Sequence, residues 1–253
     1  MADQLLPPGR MTTGIIRRGD RIWRPMGPWS PAVHEYLRHL EAAGFAGAPR
    51  VLGTDGDFEV LTYVEGEVAA DPHWHPGHEH QIPAYAKTSQ ALRAAARLLR
   101  ELHESASGFV PSQTGYRFHR HPPLPDEVIC HGDLGPWNTV YRDGLPVAFI
   151  DFDGAQPARP LTDLAAAAWA FVPLAPWATD MPGRLAEFVT AYGLDDPAAI
   201  LPELARCRLS SPAMIEEVAP NVPGLADKLE HTAGELRWIE SVLPELARAL
   251  RYG

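Results

Sequence analysis

The chain has 253 residues, 45% hydrophobic and 21% charged, with a mean hydropathy of −0.18. This excludes a disordered or fibrous protein and allows one large or two small domains with a real core. The 32 acidic and 22 basic residues leave a formal charge of −10; it disfavours nucleic acid and would attract a cationic small molecule, although an acidic surface also serves solubility alone.

No apolar run approaches the roughly 18 residues of a membrane span, and Met1-Ala-Asp-Gln4 lacks the basic and apolar regions of a signal peptide. A cytoplasmic protein without a membrane partner is expected. Cys130 and Cys207 are too few for a disulfide framework. In chain order, Gly14 to Arg24 reads as two short strands around a Gly19-Asp20 turn. A helix follows, with Ser30 as N-cap, Pro31 at the first helical position, Val33, Leu37 and Leu40 on one face, and Gly44 as the left-handed stop. Val51-Leu-Gly53 and Phe58 to Val64 read as strands joined through Asp55-Gly56. Few periodic apolar positions occur from 66 to 87, which reads as a connector or surface loop. Leu92, Ala95, Leu98, Leu99 and Leu102 then mark a helix from Ser89 to Ser105. After a loop-like stretch from Gly108 to Pro125 come short apolar runs at Glu127 to Cys130, Thr139 to Tyr141 and Val147 to Ile150. Beyond Leu161 the pattern is helical: Asp163 to Phe171, Arg184 to Tyr192, Pro197 to Arg208, and on toward Leu250. The fold class expected is α+β, strand-rich first and helical afterwards.

Three polar residues sit where those apolar runs end: Asp133 and Asn138 in His131-Gly-Asp-Leu-Gly-Pro-Trp-Asn138, and Asp151 in Ile150-Asp-Phe-Asp153. A kinase-type catalytic loop has an aspartate followed five positions later by asparagine, and a metal-binding carboxylate further on. Phosphoryl transfer needs mainly positioning and charge neutralisation, so the roles are readable. Asp133 would orient and deprotonate an acceptor hydroxyl, Asn138 and Asp151 would hold Mg²⁺, and His131 would brace the loop rather than serve as base. Asp153 would contact a second metal or cap the Gly154 turn. Asp163, at a helix start, could accept backbone N–H bonds from the catalytic loop.

These two motifs resemble the aminoglycoside phosphotransferase and choline kinase superfamily. Ile22-Trp-Arg24, Ala48 to Gly53, Leu61 to Gly66 and Leu161-Thr-Asp163 extend the likeness. The resemblance implies a protein-kinase-like bilobal fold, with a nucleotide-covering lobe at 1–66, a connector at 67–87 and a catalytic, substrate-binding helical lobe at 88–253. It also implies Mg²⁺, ATP or GTP as co-substrate, and a hydroxyl-bearing small molecule as acceptor, such as an aminoglycoside-like antibiotic or another natural product. The protein would act as a monomer or a homodimer. Gly9 to Gly14, with Thr12 and Thr13, is the candidate phosphate-covering loop, and Arg24 takes the place of the expected lysine. The helical carboxylate that normally orients this cation is missing: Glu35 is nearest, but it lies opposite the apolar stripe and should face solvent. The short N-terminal lobe is similar to that of members named for trifolitoxin immunity. This motivates two further readings, a kinase-like protein that sequesters a toxic peptide or metabolite, and a kinase of peptide Ser or Thr.

Other features have plainer readings beside functional ones. His73, His75, His78 and His80 could bind zinc, as could His119 and His121, but prolines and a glycine around the first group favour a solvated loop. Trp137 could stack on a substrate or pack beneath its own loop. Glu216, Glu217, Asp227 and Glu230 could bind an amine or form solvated helix faces.

Overall fold

A computed structural model describes residues 3–6, 12–71, 81–119, 121–208 and 225–252, with the side chains of 225–228 and of Tyr252 left aside. The architecture is α+β, a sheet-based N-terminal region followed by a helical C-terminal region. Five antiparallel strands form the first sheet: β1 (Gln4–Leu5), β2 (Ile16–Arg18), β3 (Arg21–Pro25), β4 (Val51–Asp55) and β5 (Phe58–Thr62), in the order β1-β2-β3-β5-β4. The Gly19-Asp20 and Asp55-Gly56 turns lie where the sequence puts them, and Gly19 and Gly56 both have positive φ. Strand β1 was not anticipated, being only two residues long. The helix α1 (Ser30–Ala42) starts one residue early: Ser30 is inside it, and its hydroxyl accepts the Gly27 N–H at 3.0 Å instead of capping the helix. Gly44, at φ 83°, supplies the expected stop.

The segment after β5 is less of a plain connector than its composition suggests. β6 (Glu67–Val68) pairs with β8 (Thr139–Arg142), which pairs with β9 (Leu145–Phe149). Residues 72–80, with His73, His75, His78 and His80, lie outside the described residues. Helix α2 (Ser89–Ala106) is capped by Thr88, whose hydroxyl accepts the Ala91 N–H at 3.1 Å. It is the axis of the helical half, because Leu92, Ala95, Leu99, Leu102 and Ala106 bury one continuous face. Truncating one of these leucines to alanine would cost about 2–5 kcal/mol. Strand β7 (Val128–Cys130) pairs with β10 (Gln156–Ala158). Helices α3 (Pro160–Phe171), α4 (Met181–Tyr192), α5 (201–208) and α6 (Leu225–Tyr252) complete the chain. None of the described helices is long and apolar enough to cross a membrane.

One core cluster runs through both halves, from Ala32, Tyr36, Leu37 and Leu61 to Leu99, Phe149, Phe152, Leu164 and Phe188. The Tyr36 ring meets Phe152 edge-on at 6.1 Å, which joins α1 to the turn after Asp151. A backbone bond from Phe149 N–H to Gly47 O at 2.9 Å adds a second tie.

Candidate functional site

Close backbone approach brings the segment from His131 to Asn138 and the Asp151 segment together. Strands β7 and β10 pair Cys130 with Gln156, so the loops leaving them run side by side. Gly132 has φ 78°, and a Cβ there would stand 2.1 Å from the Gly154 carbonyl oxygen. A Cβ on Gly154 would in turn meet Asp133 Cβ at 3.0 Å. Only glycine permits this contact at position 132. Hydrogen bonds then fix the register: Ile150 N–H to Asn138 O at 2.9 Å, and His131 Nε2 to Ile150 O at 3.0 Å.

Within this frame Asp133 is exposed, and the Asn138 side-chain amide donates to its backbone oxygen at 2.7 Å and to its carboxylate at 3.0 Å. That turns Asn138 Oδ1 away from Asp133. Asp151 is a left-handed non-glycine residue, φ 62° and ψ 62°, with its side chain 41% exposed. A non-glycine residue in this region carries strain that its surroundings must hold in place. The Trp137 ring folds over Gly135 so closely that a Cβ there would meet it at 2.5 Å.

His131 is fully buried, and its Nδ1 accepts the Asp133 N–H at 3.3 Å, so both ring nitrogens serve the loop. Burial holds its pKa below the ordinary histidine value, against the pull of Asp163. The ring thus joins Ile150 O to the Asp133 N–H from within the core. Asp163 accepts the Gly132 N–H at 3.2 Å with one oxygen and meets His103 Nε2 at 3.1 Å with the other. His103 Nδ1 lies 2.8 Å from the Tyr192 hydroxyl. This buried chain ties the loop from His131 to Asn138 to α2, α3 and α4; of it, only the Asp163 link is expected from the sequence. His103, Cys130 and Asp163 also form the one potential metal cluster among the described residues. With both His103 nitrogens and both Asp163 oxygens already engaged, hydrogen bonding accounts for it.

On the sheet side stands Arg24, buried and bound to three carboxylates. Its Nε lies 3.0 Å from Glu59 and one terminal nitrogen 3.2 Å from Asp151, while the other terminal nitrogen pairs with Asp153. Burial opposes the Arg24 charge, but Asp151, Asp153 and Glu59 together outweigh it and raise its pKa. Asp153 is pushed up by burial, with Arg24 pulling it down and Asp151 adding to the rise. Arg117, from the loop after α2, donates to Asp153 at 3.5 Å and stacks over Trp29 at 4.2 Å. Sequence reasoning did not find Glu59 or Arg117. Neither lies in a motif, and the one usable signal was an unpaired acid in the strand opposite Arg24.

Thr12 and Thr13 lie just before β2, on the segment returning from β1, where Leu6 N–H bonds Ile15 O at 2.9 Å. Residues 7–11 of that segment are outside the described residues. Glu35 is half-buried rather than facing solvent, and its carboxylate accepts the Ser112 and Gln113 N–H groups at 2.9–3.1 Å. It does not appear among the partners of Arg24. The His119 and His121 rings meet edge-on at 5.3 Å and belong to no metal cluster among the described residues. Glu230 is exposed, while Glu216, Glu217 and the Asp227 side chain fall outside the described residues.

As a donor set, Asn138 Oδ1 and the Asp151 carboxylate offer hard oxygens, which suit Mg²⁺. Asp153, held by two arginines, is the less available carboxylate.

Residues 116–208, which contain both motifs, match the model of the phosphotransferase enzyme family. A trifolitoxin immunity protein of Rhizobium leguminosarum bv. trifolii is 39% identical over 175 residues, which is 67% of this chain and 62% of that protein. The match thus spans less than two thirds of that relative. The whole fold is similar to a choline/ethanolamine kinase family protein from Mesorhizobium loti, with TM-score 0.66 and 17% identity over 100% of this chain and 93% of the other. It is likewise similar to aminoglycoside 2'-phosphotransferase-IIIa in its GDP complex, with TM-score 0.63 and 14% identity over 94% and 93% of the two chains. The resemblance carried by the two motifs therefore stands, and the kinase-like bilobal fold with it.

Proposed function

We propose that this protein is an O-phosphotransferase, moving the γ-phosphoryl group of ATP or GTP to a hydroxyl of a small molecule bound against the helical half. The observation that carries the reading is the seating of Asp133 and Asn138, with a 3.0 Å bond between their side chains, on backbone that also fixes Ile150, the residue before Asp151. The exposed Asp133 carboxylate accepts the acceptor's proton and aims its oxygen for in-line attack. Asn138 Oδ1 and Asp151 hold Mg²⁺, which neutralises phosphate charge when bound. Arg24 lends its fork to the phosphates once the nucleotide draws it from Asp151, and the segment with Thr12 and Thr13 covers them. The net charge of −10 suits a cationic acceptor.

The test is nucleotide turnover and transfer to a panel of amino-alcohol and aminoglycoside acceptors by wild type, Asp133→Asn and Asp151→Ala. Each variant is expected to lose about 10²-fold or more in kcat. Transfer that survives both substitutions would refute the role assignment.

One observation favours a second reading, capture of a toxic peptide or metabolite without transfer: the immunity protein similar to this chain is named for protection, not catalysis. Nucleotide at about 100 times its Kd should stabilise a kinase by about 2.7 kcal/mol. A protein that only sequesters would show no thermal shift with millimolar Mg·ATP.

A further inference from the structure

We propose that Glu59 is the positioning residue of this site, gripping Arg24 from the neighbouring strand, and that His34 couples that grip to α1. The inference rests on the phosphotransferase reading. No helix carboxylate reaches Arg24 among the contacts described. Helix α1 instead presents His34 inward, where its Nε2 lies 2.5 Å from one Glu59 oxygen. The other Glu59 oxygen faces Arg24 Nε as an ion pair at 3.0 Å. Glu59 and Arg24 are directly opposed in the β3–β5 ladder, so backbone register sets their separation. All three side chains are buried.

The division of the guanidinium gives this arrangement its purpose. Glu59 uses Nε, which leaves the two terminal nitrogens for Asp151 and Asp153. Held only by those two aspartates, Arg24 would be displaced whenever a cation took them over. Glu59 is an anchor outside the metal-binding pair, so Arg24 can release Asp151 and stay aimed at the space where phosphates would lie. Both Glu59 oxygens are committed, one to the sheet and one to α1. A shift of α1 is therefore transmitted through His34 to the direction of Arg24.

A double-mutant cycle on the full chain, read by fluorescence titration with a fluorescent ATP analogue and Mg²⁺, tests this. Glu59→Leu should weaken nucleotide binding about tenfold, and Glu59→Asp, which folds more safely but is one methylene short, about threefold. Glu59→Gln, which keeps the side-chain length and an oxygen facing Nε, should recover most of the affinity. In an Arg24→Met background, where an apolar pair replaces the ion pair, Glu59→Leu should cost less than about twofold more, because residues acting as one unit are not additive. His34→Leu should weaken binding about threefold only while Arg24 is present. Full losses persisting in the Arg24→Met background, or unchanged affinity in Glu59→Leu and Glu59→Asp, would overturn the positioning role and leave the phosphotransferase reading intact. Failure of wild type to bind millimolar nucleotide would sink both.

Discussion

The two sides of the site are built by different physics. On the helical side the loop from His131 to Asn138 is held by directional hydrogen bonds and backbone contact: His131 to Ile150, Asp163 to Gly132, and Gly132 against Gly154. On the sheet side Arg24 is held by charge, among Glu59, Asp151 and Asp153. Directional, geometrically closed contacts fix atoms to fractions of an ångström, which the proposed role of Asp133 requires. A buried ion cluster has alternatives of similar energy once a new charge arrives, which suits the proposed exchange of Arg24 partners on nucleotide binding. Asp151 belongs to both sides, rooted in the loop and ion-paired with Arg24.

The sharpest way to break the contrast is Gly132→Ala. The new methyl would stand 2.1 Å from a backbone oxygen that cannot rotate away, at a φ of 78°. Strain and clash together should cost about 3 kcal/mol, lowering the denaturant midpoint and removing transfer, since Asp133 and the Asp151 loop would be pushed apart. If the variant retains both stability and turnover, the helical side is softer than its geometry implies.

That contact also shows what a sequence can reveal. The helical side was legible because its parts are local: Asp133 and Asn138 lie five positions apart, Asp151 follows closely, and the apolar runs that carry them are short and continuous. Helix α2 was legible for the same reason, its face repeating at helical spacing. The sheet side was not. Glu59 lies 35 positions after Arg24, and only strand register brings the two together. Arg117 comes from a loop without periodicity, and His103 looked like one more polar residue at the end of an amphipathic helix until Asp163 and Tyr192 closed around it. The strand β6 escaped notice because two residues carry no pattern.

pH distinguishes the two sides by a smaller effect. His131 is buried and neutral, its pKa below the ordinary value near 6.5. Between the folded and unfolded pKa values the unfolded chain binds the extra proton, so stability rises with pH across that window. The contribution is complete above about 6.5 and is lost as pH falls below it, at no more than about 1.4 kcal/mol per pH unit for one proton. Asp153, raised by burial, works in the opposite sense at the acid end. Denaturant midpoints at pH 7.5 and 5.5 should therefore fall further apart in wild type than in His131→Gln. Equal pH dependence in the two proteins would mean that His131 is not held neutral by the loop.

The smallest expected effect separates two glutamates. Glu35 was the sequence's nearest candidate for orienting Arg24, yet it holds the Ser112 and Gln113 N–H groups, whereas Glu59 holds Arg24. Charge-assisted bonds to a loop's backbone, partly open to water, are worth about 1 kcal/mol or less once solvent can replace them. Glu35→Ala should lower stability by about that much and leave nucleotide affinity within about twofold of wild type. The segment it anchors leads toward Arg117, which touches Asp153, so this substitution asks whether order reaches the ion cluster through the loop. Affinity falling as far in Glu35→Ala as in Glu59→Leu would mean that the cluster is organised from the Arg117 side, and that the strand pairing of Arg24 with Glu59 is the lesser constraint.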